Sequence, residues 1–261
     1  MMDKFAGLPP IYYINLDGEP NRAESLENQF KEFEIENFTR ISAHDGREDD
    51  LSDIIKGCYP KDLTSGEVGC VTSHLKALKY YLETSDSPCA LIMEDDCDIS
   101  TVNYWNFTWS DFYRARPYAY DVIQLAVINP AQVHLKMHRR FVNDFSTACY
   151  LITRHHAQKL VDLHCRGGGK YKLDQNVKPR AVADDLVYNS GLAYACPLFL
   201  YKIELGSSIH DIHVDVFHKS SHDALWDFWK ESAPQMDLDT WRGIFSFDPY
   251  SGTLPPGFEN K

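Results

Sequence analysis

Cys89-Ala90-Leu91-Ile92-Met93-Glu94-Asp95-Asp96-Cys97-Asp98-Ile99 decides the architecture: an apolar run ends in four carboxylates (Glu94, Asp95, Asp96, Asp98) within five positions. The apolar half is β-compatible and follows the turn residues Ser85-Asp86-Ser87-Pro88, so it predicts a buried strand. Carboxylates repel one another and resist burial, and a fold crowds them at a strand end mainly when a cation neutralises them. Hard oxygen donors with no thiolate pair nearby suit Mg²⁺ or Mn²⁺, which in turn hold phosphate oxygens. On these residues alone the alternative is a solvated acidic turn. In an open α/β sheet, ligands bind at the carboxyl ends of strands, which is where this cluster would lie.

The flanking sequence supplies the rest of such a sheet. Pro10-Ile11-Tyr12-Tyr13-Ile14-Asn15-Leu16 reads as a first buried strand, and Asp17-Gly18-Glu19-Pro20 turns the chain, with Pro20 suited to a helix start. The helix that follows repeats Ala23, Leu26, Phe30 and Phe33 at helical spacing, and Phe38 to Ala43 forms a second strand. Strand, helix, strand in this order begins a parallel α/β sheet. From Ser65 a second helix carries Val68, Val71, Leu75, Leu78 and Leu82 on one stripe. Further strands are expected at Asp121–Val127, Ala148–Ile152 and Ala193–Tyr201, with a helix from Arg154 to Cys165 and a linker holding Trp105, Trp109, Phe112 and Tyr113. The chain after about Ser207 reads as an irregular, His- and Trp-rich extension.

Composition narrows the function classes. Of 261 residues 44% are hydrophobic, so one substantial core can form. A net charge of −12 with no strongly basic stretch argues against nucleic acid and against an anionic membrane surface. His134, Lys136, His138, Arg139 and Arg140 make one basic patch, which could steer an anionic acceptor. No apolar run reaches membrane-spanning length and no signal-peptide core is evident. Seven scattered cysteines without a C-x-x-C pair fit neither a disulfide framework nor a zinc site, and point to a reducing cytoplasm.

Several stretches, taken together and in order, resemble glycosyltransferase family 25, the lipopolysaccharide-biosynthesis and procollagen galactosyltransferase group. Tyr13-Ile14-Asn15-Leu16-Asp17 with Arg22 is similar to its I-N-L-D…R start. Arg40-Ile41-Ser42-Ala43-His44-Asp45-Gly46 resembles its R-x-x-A-x-D-G segment, and Gly66-Glu67-Val68-Gly69-Cys70-Val71-Thr72-Ser73-His74 its G-E-I-G-C-x-x-S-H signature. Leu91-Ile92-Met93-Glu94-Asp95-Asp96 corresponds to L-I-L-E-D-D, and Ala148-Cys149-Tyr150-Leu151-Ile152-Thr153 to a later A-Y-L-I-S block. Asp184-Asp185, Pro197 and Gly206-Ser207-Ser208-Ile209 continue the likeness to about residue 210. Gly18 departs from the pattern, standing where the family often has a first Arg and leaving Arg22.

The resemblance implies a single GT-A-type domain over 1–215, a Rossmann-like mixed sheet flanked by helices, with the aromatic-rich extension 216–261 packed on it. It implies transfer of a hexose from UDP-galactose or UDP-glucose to a saccharide or glycoconjugate hydroxyl, inverting and assisted by Mn²⁺ (or Mg²⁺). Asp96 and Asp98 then hold the metal at D-x-D spacing, on one side of an extended segment, with His210 or His213 as a third ligand. Glu94 and Asp95 lie around ribose or cation, and Asn15, Asp17, Arg22, Gly66, Glu67, Ser73 and His74 on the donor side. Asp184 or Asp185 takes the proton of the acceptor hydroxyl.

Blander roles stand beside these for several residues: turn chemistry for Asn15 and Asp17, helix capping for Glu67 and one of Asp184 and Asp185, and a packed side chain for His74. The tail aromatics Trp226, Phe228, Trp229, Trp241 and Phe245 would either cover the core or stack on sugar rings. A cytoplasmic setting, peripheral to the inner face of a membrane, goes with a lipid-linked glycan acceptor. The competing functions are a non-catalytic nucleotide-sugar or carbohydrate-binding module that kept the fold, and a nucleotidyltransferase or phosphohydrolase. The last would need a glycine-rich basic loop near the first strand, which Asp17-Gly18-Glu19-Pro20-Asn21-Arg22 supplies poorly.

Overall fold

A computed structural model describes residues 3–47, 50–173, 180–203 and 219–247. Strand β1 (Ile11–Asn15) leads into helix α1 (Pro20–Glu32), which opens on Pro20 and is followed by β2 (Phe38–Ser42). Helix α2 (Ser65–Thr84) starts from a capping box: Thr64 Oγ1 accepts from the Glu67 N–H and Glu67 Oε2 accepts from the Thr64 N–H. Next come β3 (Cys89–Glu94), the short β4 (Cys97–Asp98), α3 (Trp109–Ala115), β5 (Val122–Ala126), β6 (His138–Arg139) and β7 (Cys149–Thr153). Helix α4 (Arg154–His164), the hairpin β8 (Cys165–Arg166) with β9 (Lys170–Tyr171), α5 (Ala183–Tyr188) and β10 (Ala193–Tyr201) complete the α/β part.

The central sheet is mixed and eight-stranded, in the order β2-β1-β3-β7-β5-β10-β4 with β6 on β10. β1 runs parallel to both β2 and β3, as the strand-helix-strand pattern predicts. β7 enters antiparallel between β3 and β5, so the sheet is not parallel throughout. The mixed α/β sheet flanked by helices is therefore observed.

Alternation along β3 assigns its two faces. Cys89, Leu91 and Met93 pack with α1 and α3 in one core, while Ala90 and Ile92 pack with α2, α4 and α5 in the other. Residue by residue, the same alternation delivers Glu94 to the α2 face and Asp95 to the α1 face.

The expectation of an irregular tail is corrected for residues 219–247. Helix α6 (Lys219–Asp227) continues into a π-helical turn (Phe228–Ser232), and α7 (Leu238–Phe245) follows. Trp229 and Trp241 stack at 5.4 Å and, with Phe245, bury against Trp105, Phe107 and Phe112. These three aromatics cover the core and are closed to a sugar ring. The segment around Trp109, expected as a linker, is helix α3. Among the described residues no helix is long and apolar enough to cross a membrane.

Candidate active site

The parallel strands β1, β2 and β3 end at an open cleft. Its walls come from the end of β1 (Ile14–Leu16), the loop after β2 (Ala43–Arg47), the first turns of α2 (Gly66, Cys70, Ser73, His74) and the acidic end of β3. Helix α2 and the β2 loop touch backbone to backbone. A Cβ on Gly69 would lie 2.6 Å from the His44 carbonyl oxygen, and one on Gly46 would lie 1.8 Å from that of Ser65. Ser73 Oγ accepts from the His44 N–H at 2.8 Å and fastens the same contact.

The acidic residues divide into distinct tasks. Asp95 is spent on structure: Oδ2 accepts from Asn15 Nδ2 at 2.7 Å, and Oδ1 from Arg22 Nε at 2.8 Å and Nη2 at 2.6 Å. Asn15 also bonds the Glu19 carbonyl and accepts from Arg40 Nε, so Asn15, Arg22 and Asp95 form one buried brace across β1, α1 and β3. Glu94, on the opposite face, accepts through Oε1 from Thr147 Oγ1 at 2.6 Å and meets His74 Nε2 at 3.3 Å. Burial works to raise its pKa, but the bonds and charge of His74, the bond from Thr147 and the charge of Arg22 outweigh it, and Glu94 stays below the usual range.

Asp96 is different. Its Oδ2 lies 3.3 Å from Arg22 Nη2, yet its Oδ1 is buried with no hydrogen-bond partner among the described residues. Burial, then the charge of Glu94, push its pKa up to about 7 against the pull of Arg22. A carboxylate oxygen in that position is unfavourable unless a proton or a cation reaches it.

A second group of side chains joins this row through Ser146 and Thr147, the residues before β7. Thr147 holds Glu94, while the Ser146 N–H donates to Asp184 Oδ1 at 2.7 Å. Ser146 has φ 101°, a backbone setting that a non-glycine residue rarely adopts, and its carbonyl accepts from Tyr188 Oη and Gln124 Nε2. Arg140, buried over the Tyr188 ring, approaches Asp184 Oδ1 at 3.7 Å. Burial lifts the Asp184 pKa to about 6, opposed by Arg140 and the Ser146 N–H and reinforced by the charges of Glu94 and Asp185.

Several expected site residues lie elsewhere. Asp185 accepts from the Arg180 N–H and from Asn189 Nδ2, and so braces α5. Glu67 closes the capping box and binds Arg180 through both oxygens at 3.0 Å, away from the cleft lining. Asp17 pairs with Arg40 and Ser42 on the exposed rim. Asp98 departs from the expected shared face with Asp96 because the chain turns at Asp95–Asp96, and its Oδ1 accepts from the Ser100 N–H at 2.8 Å. His210 and His213 lie outside the described residues. Arg47, which donates to Asp45 and Glu19, and His44, whose pKa burial lowers to about 4, line the cleft and were not singled out by sequence. The R-x-x-A-x-D-G likeness was the signal that pointed to this loop.

The model of glycosyltransferase family 25, described as LPS biosynthesis protein, matches residues 8–175, a span that carries every wall of the cleft. The chain belongs to glycosyltransferase family 25. The family match ends before Asp184, so that residue's place in the site rests on the contact with Ser146. No curated protein matches the chain in sequence.

Three solved structures are distant likenesses. The glycosyltransferase GlyE of Streptococcus pneumoniae TIGR4 is 9% identical over 90% of this chain and 62% of its own, with a TM-score of 0.35. A nucleoside-diphosphate-sugar pyrophosphorylase from Vibrio cholerae RC9 is 9% identical over 76% and 75%, at 0.34. A197 from STIV is 12% identical over 74% and 83%, at 0.37. A glycosyltransferase has a sugar donor and an acceptor.

Proposed function

We propose that this family 25 enzyme moves galactose or glucose from its UDP-sugar to a hydroxyl of a glycan or glycoconjugate, with inversion and with Mn²⁺ or Mg²⁺ assisting. The observation that carries the reading is the buried, unpartnered Oδ1 of Asp96 beside Glu94 at the end of β3. The donor chemistry fits a hard divalent ion, which Asp96 and Glu94 would hold; both Asp95 oxygens are already engaged by Asn15 and Arg22. When bound, such an ion supplies positive charge to the diphosphate that leaves.

The remaining work falls to the chain itself. The Asn15–Arg22–Asp95 brace keeps the two carboxylates in place, which is the preorganisation that electrostatic catalysis needs. Arg47 brings a cationic group to the cleft wall, suited to donor phosphate. Asp184 is the base: near neutral pH it exchanges its proton readily, and the Ser146 N–H fixes one oxygen. In a single displacement the acceptor oxygen gives its proton to Asp184 and bonds the anomeric carbon as the bond to UDP breaks. The seven cysteines all stand free, which suits a reducing compartment such as the cytoplasm.

UDP release in the presence of Mn²⁺ and a saccharide panel tests the reading. Asp184→Asn should lower kcat by about 10²–10⁴-fold with donor affinity unchanged. Full turnover in that variant would put the base elsewhere, and donor binding by the native chain without turnover on any acceptor would favour a binding module.

A further inference from the structure

Cys70 and His74 stand four residues apart on α2 and therefore share one face of the helix, which looks onto Glu94 at the end of β3. The Cys70 Sγ, a His74 ring nitrogen and a Glu94 carboxylate oxygen all lie within 4.8 Å of one another. We infer that these three side chains form a binding site for a thiophilic divalent cation, Zn²⁺ by chemical class, that shares Glu94 with the donor cleft. No C-x-x-C pair announces it in the sequence.

The geometry suits that ion. Two donors each about 2.0–2.1 Å from zinc at the tetrahedral angle stand roughly 3.3 Å apart, and His74 Nε2 lies 3.3 Å from Glu94 Oε1. The outer contacts that orient such ligands are already present. His74 Nδ1 meets Tyr150 Oη at 3.0 Å, and Thr147 Oγ1 donates to Glu94 Oε1 at 2.6 Å. Three protein ligands leave a fourth position, and Cys70, His74 and Glu94 all line the cleft.

Protons balance simply. In the empty site His74 donates its Nε2–H to the Glu94 carboxylate. On binding, that proton shifts to Nδ1, where Tyr150 Oη accepts it, and the Cys70 thiol proton leaves to solvent. The donor set separates this site from a hard-ion site: thiolate and imidazole favour Zn²⁺ or Co²⁺ over Mg²⁺ and Mn²⁺. Because Glu94 belongs to both, zinc draws on a carboxylate that the donor's ion also needs, and Mn²⁺ binding weakens when zinc is present. The binding claim does not depend on the proposed transfer reaction.

The test is spectroscopic, on the full chain carrying Cys58→Ser to remove the exposed thiol. Co²⁺ alone should bind one per chain and show a sulfur-to-cobalt charge-transfer band that Zn²⁺ bleaches. Cys70→Ser, close to isosteric, should abolish the band and weaken Zn²⁺ at least tenfold, and His74→Gln should weaken it likewise. Circular dichroism establishes that each variant is folded. A charge-transfer band that survives Cys70→Ser, or Zn²⁺ affinity that Cys70→Ser leaves unchanged, overturns the assignment, as does the lack of any such band in the parent.

Discussion

Replacing Asp96 with asparagine should stabilise the protein and, on the proposed function, remove its hold on a donor cation. The native carboxyl titrates near 7 instead of its ordinary 3.8, because it is buried and faces the charge of Glu94. An acid whose folded-state value is raised favours the proton in the native state, so the fold is penalised whenever that group is ionised. The penalty is nil below the unfolded value, grows as pH climbs from 3.8 to about 7, and is constant above that. At 1.36 kcal/mol per pH unit the interval corresponds to roughly 4 kcal/mol. Asparagine removes the charge and keeps the shape, but it weakens the 3.3 Å contact with Arg22. A net gain of about 2–4 kcal/mol at pH 8, and little at pH 4, is expected. In a chain of this size that raises Tm by roughly 4–16 °C. Urea denaturation of both proteins at the two pH values measures it. An asparagine variant that is no more stable at pH 8, or a difference that does not change with pH, would refute the reasoning. Sites that bind charge commonly carry such a stability cost, which a bound cation offsets.

Asp95→Ala acts in the opposite direction: it removes the buried carboxylate that Arg22 and Asn15 share and should cost about 3–5 kcal/mol, read as a lower Tm by calorimetry. A loss below about 1 kcal/mol would mean that Asp95 is not the anchor described here. Gly69→Ala sets a methyl group 2.6 Å from the His44 carbonyl oxygen and should cost about 1–3 kcal/mol while weakening donor affinity. Unchanged denaturation and binding would show that α2 and the β2 loop do not hold each other.

Much of the fold was legible because the buried strands announce themselves. Ile11–Asn15, Cys89–Glu94 and Ala193–Tyr201 are runs of β-compatible apolar residues, and α2 carries a regular stripe behind a capping signal. What escaped were short elements with little periodicity to read. The two-residue strands Cys97–Asp98 and His138–Arg139 owe their existence to pairing with β10, and the antiparallel entry of β7 is set by long-range packing. The C-terminal helices were hidden by their large aromatics, which read as cover for the core before they read as helix.

That the acidic cluster lies at a strand end beside a cleft was legible, whereas the separate contacts of its members were not. D-x-D spacing pairs Asp96 with Asp98 on the metal and leaves Glu94 and Asp95 around ribose or cation. A turn at Asp95–Asp96 and strand alternation send them to four different environments, with Asp95 to Arg22, Glu94 to His74, Asp98 to the Ser100 N–H and Asp96 toward the cleft. Likewise, adjacency could not choose between Asp184 and Asp185. The first meets the Ser146 N–H next to Thr147 and Glu94, and the second closes its own helix.

The most direct measurement is thermal stabilisation by UDP-, GDP-, CMP- and ADP-sugars, each with and without Mn²⁺, on the native chain and on Asp96→Asn. A donor at a hundred times its Kd adds about 2.7 kcal/mol of stability, and roughly 2–4 °C per kcal/mol makes that plain in a melting curve. A shift with UDP-galactose or UDP-glucose that requires Mn²⁺ and disappears in Asp96→Asn is the predicted result. A shift of equal size without Mn²⁺, or one that Asp96→Asn keeps, would contradict a donor site built on the free oxygen of Asp96.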